Sequence, residues 1–156
     1  MTPVLRPIRD DDDLLALALA AREPELAALG LPPSMAEPFA RLQAEAQRRS
    51  YAAAWPGLRD QIVELDGEVA GRLIVDRDAE RVLLIDVVVL PAYRHRGLNS
   101  WLVRHVRAEA DAHGLPVEAS MLMTNPHIPR FLRLGFEVVG ERPPHVLVRI
   151  PARGGA

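Results

Sequence analysis

The segment Val82–Trp101, with the sequence VLLIDVVVLPAYRHRGLNSW, decides the fold of this 156-residue chain. Its first nine residues are almost all apolar, and such a run predicts a strand at the centre of a sheet. From Leu98 onward, apolar side chains recur at helical spacing. A short basic turn with one glycine separates the two patterns. A strand, a basic turn and a helix in this order can build an anion-binding site.

The turn around Gly97 has the parts of a phosphate or pyrophosphate site. A helix N-terminus presents unpaired backbone N–H groups and partial positive charge. Gly97 lets the loop curl and lets a ligand approach the backbone, while Arg94, His95 and Arg96 add positive charge. Neither the lysine followed by Ser or Thr of a P-loop nor the three glycines of the dinucleotide fingerprint is present. Taken alone, the turn leaves a phosphate site and a purely structural turn equally open.

The composition is that of an ordinary globular domain, with 49% hydrophobic and 26% charged residues. A net charge of −2 gives no reason to expect a nucleic acid as partner. The chain has no cysteine, which excludes disulfides, thiolate metal sites and a cysteine nucleophile and fits a reducing compartment. It shows no apolar signal segment and no run near the ~18–20 apolar residues of a membrane span. We therefore expect one cytoplasmic domain over residues 1–156, with no membrane partner.

The remaining pattern predicts a mixed α/β domain with the element order β-αα-βββ-α-β-α-ββ. Asp66-Gly67 is a strong hairpin signal between strands predicted at 60–65 and 68–76. A third antiparallel strand is predicted at 81–90, and a strand-helix-strand crossover follows it.

The helical regions have their own signals. One of Asp10 to Asp13 is predicted to cap the first helix. Ser34 or Pro38 can divide the second helical region, and a later short helix has Pro126 near its start. Three apolar residues recur at helical spacing in that second region: Phe39, Leu42 and Ala46.

Two motifs resemble one protein family. The stretch VVVLPAYRHRGLNSWLVRHV resembles the acyl-CoA-binding segment of the GNAT superfamily of N-acetyltransferases, where a V-x-x-x-P strand end precedes R/Q-x-x-G-x-G/A. Arg94, Gly97 and Asn99 hold the second set of positions. The stretch NPHIPRFLRLGF, Asn125–Phe136, is similar to the family's N-P-x-x-x-x-Y-x-x-L-G-F segment. The element order agrees as well, so the resemblance covers nearly the whole chain.

The resemblance implies central strands that splay apart, with acetyl-CoA inserted between them as co-substrate and no metal. The pyrophosphate would lie on the backbone N–H groups of residues 95–100, and the pantetheine arm would pair with the main chain of residues 87–89. The implied reaction is direct acetyl transfer to the amine of a small molecule or protein. The implied cofactor-binding residues are Val87, Val88, Val89, Arg94, His95, Arg96, Gly97, Leu98, Asn99, Ser100, Asn125 and Phe131.

The chain departs from the family pattern at two of these positions. Phe131 stands where the family often has a tyrosine that protonates the leaving thiolate, and phenylalanine cannot donate a proton. Asn99 stands where Gly or Ala is usual. Its side chain would crowd the pyrophosphate, cap the helix or donate a hydrogen bond to phosphate. The alternative to an active enzyme is therefore a degenerate member that binds CoA or a partner protein without turnover.

Two titratable residues are candidates for proton transfer. Asp86 lies in the apolar run, so it needs a partner; it is either a base for the amine or a hydrogen-bonded residue on the sheet face. His127 opens the short helix, and its imidazole titrates near neutral pH, so it is either a replacement acid or a surface histidine. Asn125 either bonds to pantetheine or caps that helix.

The expected partners are an amine acceptor and, by resemblance, a second copy bound through the last strands.

Overall fold

The computed structural model describes residues 2–153, which contain seven strands and five α-helices. The strands are β1 (Val4–Pro7), β2 (Arg59–Leu65), β3 (Glu68–Arg77), β4 (Val82–Val89), β5 (Val117–Leu122), β6 (Glu137–Arg142) and β7 (His145–Ile150). The helices are α1 (Leu15–Ala21), α2 (Glu23–Leu29), α3 (Pro33–Ala54), α4 (Leu98–Ala112) and α5 (Ile128–Arg133). The strand order is β1-β2-β3-β4-β5-β7-β6, which confirms the predicted mixed α/β fold.

The described residues divide into two compact units. The first contains residues 2–73 and 87–96, and the second contains residues 74–86 and 97–153. Positions 1 and 154–156 of the predicted domain lie outside the described residues. The assignment of residues 1–156 to one domain therefore stays a prediction.

The hairpin between β2 and β3 in the first unit forms as its sequence predicts. Asp66 and Gly67 both have positive φ angles, of 52° and 80°, as a two-residue hairpin turn of this kind requires. The core of this unit includes Leu17 of α1, Ile62 of β2 and Val88 of β4, which pack together and are almost inaccessible to solvent.

The helices of the first unit differ from the prediction in two ways. The first predicted helix is two short helices, because Pro24 sits in the first turn of α2 and interrupts the run. The N-cap residue of α1 is Leu14 rather than an aspartate. Asp13 still accepts a hydrogen bond from the N–H of Leu15 at 3.0 Å. Asp12 instead forms an ion pair with Arg6, with its Oδ1 2.7 Å from Nη2.

Helix α3 is continuous, so neither Ser34 nor Pro38 divides it. Pro38 lies near the start of the helix, where its missing N–H removes only one backbone bond. The predicted apolar stripe is not the buried face. Leu42 is 67% exposed, whereas Ala40 is completely buried. Ala40 lies on the packed face because a close helix contact requires a side chain that is small as well as apolar.

In the second unit, β4 and β5 pair in parallel only from Val82 opposite Val117 to Leu84 opposite Ala119. Strand β4 itself runs on to Val89, beyond the last of these pairs. The predicted buried face of α4 is confirmed, and Gly114 follows its end with φ 66°.

No helix within residues 2–153 has both the length and the apolar character needed to cross a membrane.

Candidate functional site

The end of β4 leads into the basic turn, and its backbone geometry changes along the strand. The N–H of Val82 donates to the carbonyl of Pro116, just before β5, at 2.9 Å. The N–H of Leu90 donates instead to Ala70 of β3, also at 2.9 Å. In a regular strand, residues an even number apart present their N–H groups to the same neighbour. The strand therefore changes side between these two residues, as a β-bulge does.

Gly71 on β3 lies directly against this irregular stretch, within the first unit. A Cβ atom added at Gly71 would overlap the carbonyl oxygen of Val88 and crowd the backbone of Val89. Only glycine permits this approach. Sequence reasoning missed the residue, although a lone glycine inside an otherwise apolar strand is the signal for a close backbone approach.

The turn itself is held by short-range hydrogen bonds. The N–H of Tyr93 donates to the carbonyl of Leu90 at 2.9 Å, and the N–H of Arg94 donates to Pro91 at 3.3 Å. His95 and Gly97 then adopt left-handed backbone angles, with φ of 63° and 77°. Alternation of this kind points successive N–H groups toward one side, as in anion-binding turns.

Helix α4 begins directly after this turn, with Gly97 as its N-cap and no side-chain cap bond. The N–H of Trp101 makes a helical bond, to the carbonyl of Gly97 at 3.0 Å. The N–H groups of Leu98, Asn99 and Ser100 therefore have no acceptor within the helix. A Cβ on Gly97 would meet no heavy atom within 4 Å among the described residues. The space beside the α-carbon of Gly97 is therefore open.

The two arginines of the turn have different surroundings. Arg94 donates through Nε to the carbonyl of Val89 at 3.1 Å and pairs through Nη1 with Glu23 at 2.8 Å. Arg96 lies over the ring of Tyr93, 5.6 Å from its centroid, and is exposed. The Tyr93 hydroxyl donates to Glu68 at 3.0 Å, and this bond raises the pKa of Tyr93.

Asn99 is the second residue of α4 and is half-buried. Because the N-cap is Gly97 and the helix has no side-chain cap bond, the prediction that Asn99 caps the helix is wrong. A capping side chain belongs to the residue that precedes the first helical turn, and Asn99 lies within that turn. Two of the three predicted roles remain, namely crowding a phosphate or donating a hydrogen bond to it.

The candidate residues for proton transfer lie in the second unit. Asp86 is half-buried in β4 and interacts with another group, as an ionisable residue in an apolar strand requires. His127 is exposed at the N-cap of α5 and also has a partner. Asn125 accepts a hydrogen bond from the N–H of His127 at 2.8 Å, so its oxygen orders the entry to the helix. The helix starts at Ile128, with Pro129 rather than Pro126 in its first turn.

Phe131 occupies the position of the missing tyrosine. Its ring packs edge-on against Phe136, with centroids 5.5 Å apart. Phe136 is only 2% exposed, so this contact belongs to the core of the second unit. Among residues 2–153, no group of three or more His, Asp or Glu side chains is placed to hold a metal ion.

Residues 13–136 match the sequence model of the acetyltransferase (GNAT) family. The match covers well over half of the chain. No curated protein sequence matches.

The fold is similar to that of several solved acetyltransferases. One is the PaiA N-acetyltransferase from Thermoplasma acidophilum in complex with coenzyme A, with TM-score 0.71, 15% identity and coverage of 97% of this chain and 99% of that chain. An acetyltransferase from Thermus thermophilus has TM-score 0.69, 22% identity and 97% coverage of both chains. A GNAT family acetyltransferase from Elizabethkingia anophelis with acetyl-CoA bound has TM-score 0.63 and 11% identity, covering 96% of this chain and 97% of that chain.

Proposed function

The chain belongs to the acetyltransferase (GNAT) family, and we propose that it transfers the acetyl group of acetyl-CoA directly to the amine of a small molecule or peptide. The observation that carries the proposal is the turn before α4. His95 and Gly97 have positive φ angles, and they precede a helix whose first N–H groups lack both a side-chain cap and a helical acceptor. Such donors suit a pyrophosphate.

The proposed cofactor contacts follow from these free groups. The pyrophosphate accepts hydrogen bonds from the N–H groups of Leu98, Asn99 and Ser100, and Arg96 supplies a nearby positive charge. The pantetheine arm pairs with the main chain of Val87–Val89. Since Arg94 already donates to the carbonyl of Val89, this pairing falls on the remaining backbone groups. Coenzyme A and acetyl-CoA in the two similar structures support the choice of ligand.

The proposed chemistry needs one base and one proton source. The amine loses a proton, its nitrogen attacks the thioester carbonyl carbon, the C–S bond breaks, and the thiolate takes up a proton. Asp86 is the proposed base, directly or through water, because it is the one ionisable residue within β4. His127 is the proposed acid, since Phe131 has no proton to give. A variant with His127→Ala that keeps full activity would remove His127 from this role.

A second candidate function is CoA binding without turnover. Phe131 favours it, because its ring is committed to the contact with Phe136 and the motif holds no hydroxyl at that position. A family member that lost its acid would keep the phosphate turn and lose catalysis.

A homodimer through the last strands also remains part of the proposal, with Val138 and Val139 of the edge strand β6 each 50% exposed.

Thermal unfolding with and without CoA and acetyl-CoA is the first test. Binding at a hundred times Kd should stabilise the fold by about 2.7 kcal/mol, which raises the unfolding temperature by several degrees. A thiol-release assay over a panel of amines then separates the two candidates. Stabilisation with thiol release supports the enzyme, and stabilisation without it supports the binding protein. No stabilisation by either ligand would exclude both.

A further inference from the structure

We propose that Glu23 and Arg94 form a brace that positions the phosphate turn, so that Arg94 acts through the turn rather than on the phosphate. The inference rests on the proposed function, because the brace matters only if the turn binds CoA. Its basis is a pair of contacts from one guanidinium. Nη1 of Arg94 lies 2.8 Å from Oε2 of Glu23, and Nε donates to the carbonyl of Val89 at 3.1 Å.

These contacts connect two parts of the first unit to the turn. Glu23 is the first residue of α2, and Val89 is the last residue of β4. Arg94 lies five residues beyond Val89, so its bond closes the chain segment that contains a one-turn 3-10 helix, Pro91–Tyr93. The planar guanidinium makes both contacts at once, which a lysine ammonium on a flexible stem cannot reproduce with the same geometry.

The charge of Arg94 is also matched by that of Glu23. A carboxylate at 2.8 Å offsets much of the attraction that the guanidinium would exert on a phosphate. Arg96 differs, because it forms no ion pair with any described residue and its guanidinium lies over the ring of Tyr93. The cation available to a phosphate is therefore Arg96, while Arg94 orders the backbone that presents His95 and Gly97.

A direct role for Arg94 makes opposite predictions. If Arg94 bound the phosphate, Glu23 would be its competitor, and Glu23→Gln would tighten CoA binding or leave it unchanged. Arg94→Lys would also keep most of the affinity, because lysine retains the charge. If Arg94 is a brace, both substitutions weaken binding, and the double variant loses no more than Arg94→Lys alone.

The test is a double-mutant cycle on the full chain, with the Kd for CoA measured by calorimetry. We expect Glu23→Gln to weaken binding roughly threefold and Arg94→Lys roughly three- to tenfold, as for one partly exposed ion pair and one further hydrogen bond. Glu25→Gln is the matched control. It removes a carboxylate from the same helix that pairs with Arg22 at 3.0 Å and should leave the Kd unchanged.

A positioning role also requires that the variants stay folded and that the chemical step stays constant. Unfolding temperatures should fall by no more than several degrees, as the loss of these contacts allows, and any turnover should show a raised KM for acetyl-CoA with an unchanged kcat. Wild-type affinity in Arg94→Lys, tighter binding in Glu23→Gln, or fully additive losses would each overturn the brace while leaving the proposed function intact. A wild-type protein that binds no CoA would overturn both.

Discussion

Gly71 approaches Val88 so closely that a side chain at position 71 would overlap the carbonyl oxygen of residue 88. The contact holds β3 against the part of β4 where the strand changes the neighbour to which it donates. A bulge or twist at this point re-aims the following residues. The position of the turn before α4 thus depends on a missing side chain on another strand.

Gly71→Ala should destabilise the protein by about 1–3 kcal/mol, because the added methyl group meets backbone that cannot move independently. Denaturation by urea measures this change. Gly140→Ala is the matched control, since its Cβ would lie 3.7 Å from a methyl carbon of Leu147, an ordinary contact. Equal losses in the two variants would contradict a specific conflict with Val88.

Gly97→Ala should weaken CoA binding at least tenfold and also cost about 1–2 kcal/mol of stability, because residue 97 has φ 77°. Gly114→Ala is a close control. Its φ is 66°, and its added Cβ likewise meets no described atom within 4 Å. It should lose similar stability and keep wild-type affinity. Equal effects of both variants on CoA affinity would argue against a phosphate site at Gly97.

Asn99→Ala should change stability by less than about 0.5 kcal/mol, because the side chain does not cap α4. Its side chain makes no hydrogen bond with the described residues, and it sits beside the free N–H groups. We expect the variant to bind CoA roughly tenfold more weakly, through the loss of one hydrogen bond to a charged group. Tighter binding in a calorimetric titration would show instead that Asn99 crowds the phosphate.

Phe131→Tyr should raise kcat by about tenfold or more if proton donation to the thiolate limits the reaction, with little change in the Kd for CoA. The ring packs edge-on against Phe136 and is partly accessible, so the hydroxyl can be accommodated. Steady-state and binding measurements on the same preparation separate the two quantities. An unchanged kcat would indicate that another group already supplies the proton.

The ion pair between Asp12 and Arg6 should make stability depend on pH in the acid range. Hydrogen bonds from Arg6, and then from the N–H of Arg9, lower the pKa of Asp12 from 3.8 to about 2. Because the pKa of Asp12 is lower in the folded state, the ion pair stabilises the fold fully above the unfolded pKa. This stabilisation is lost as the pH falls from about 4 to about 2. Asp12→Asn should therefore lower the urea midpoint at pH 7 and have little effect near pH 2. Asp11→Asn, an exposed neighbour, should leave the midpoint unchanged at both.

Much of the fold and part of the site follow from local pattern. Asp66-Gly67 and Gly114 adopt the left-handed angles that their turns require, and apolar spacing identifies the buried face of α4. The turn before α4 also belongs to this group, because the φ of 77° at Gly97 favours glycine for reasons that lie within the turn. Helix α3 shows the limit of such patterns, since Leu42 fits an apolar stripe and is nevertheless exposed.

The sequence by itself therefore determined the order of the strands, the hairpin at Asp66-Gly67 and the position of the turn before α4, because each depends on residues close together in the chain. Tertiary structure decided what supports that site. Gly71 meets Val88, and Glu23 meets Arg94, only after distant segments pack. Contacts of this kind produce no periodic pattern in the sequence, because they depend on how whole strands and helices pack together rather than on the residue spacing within one element.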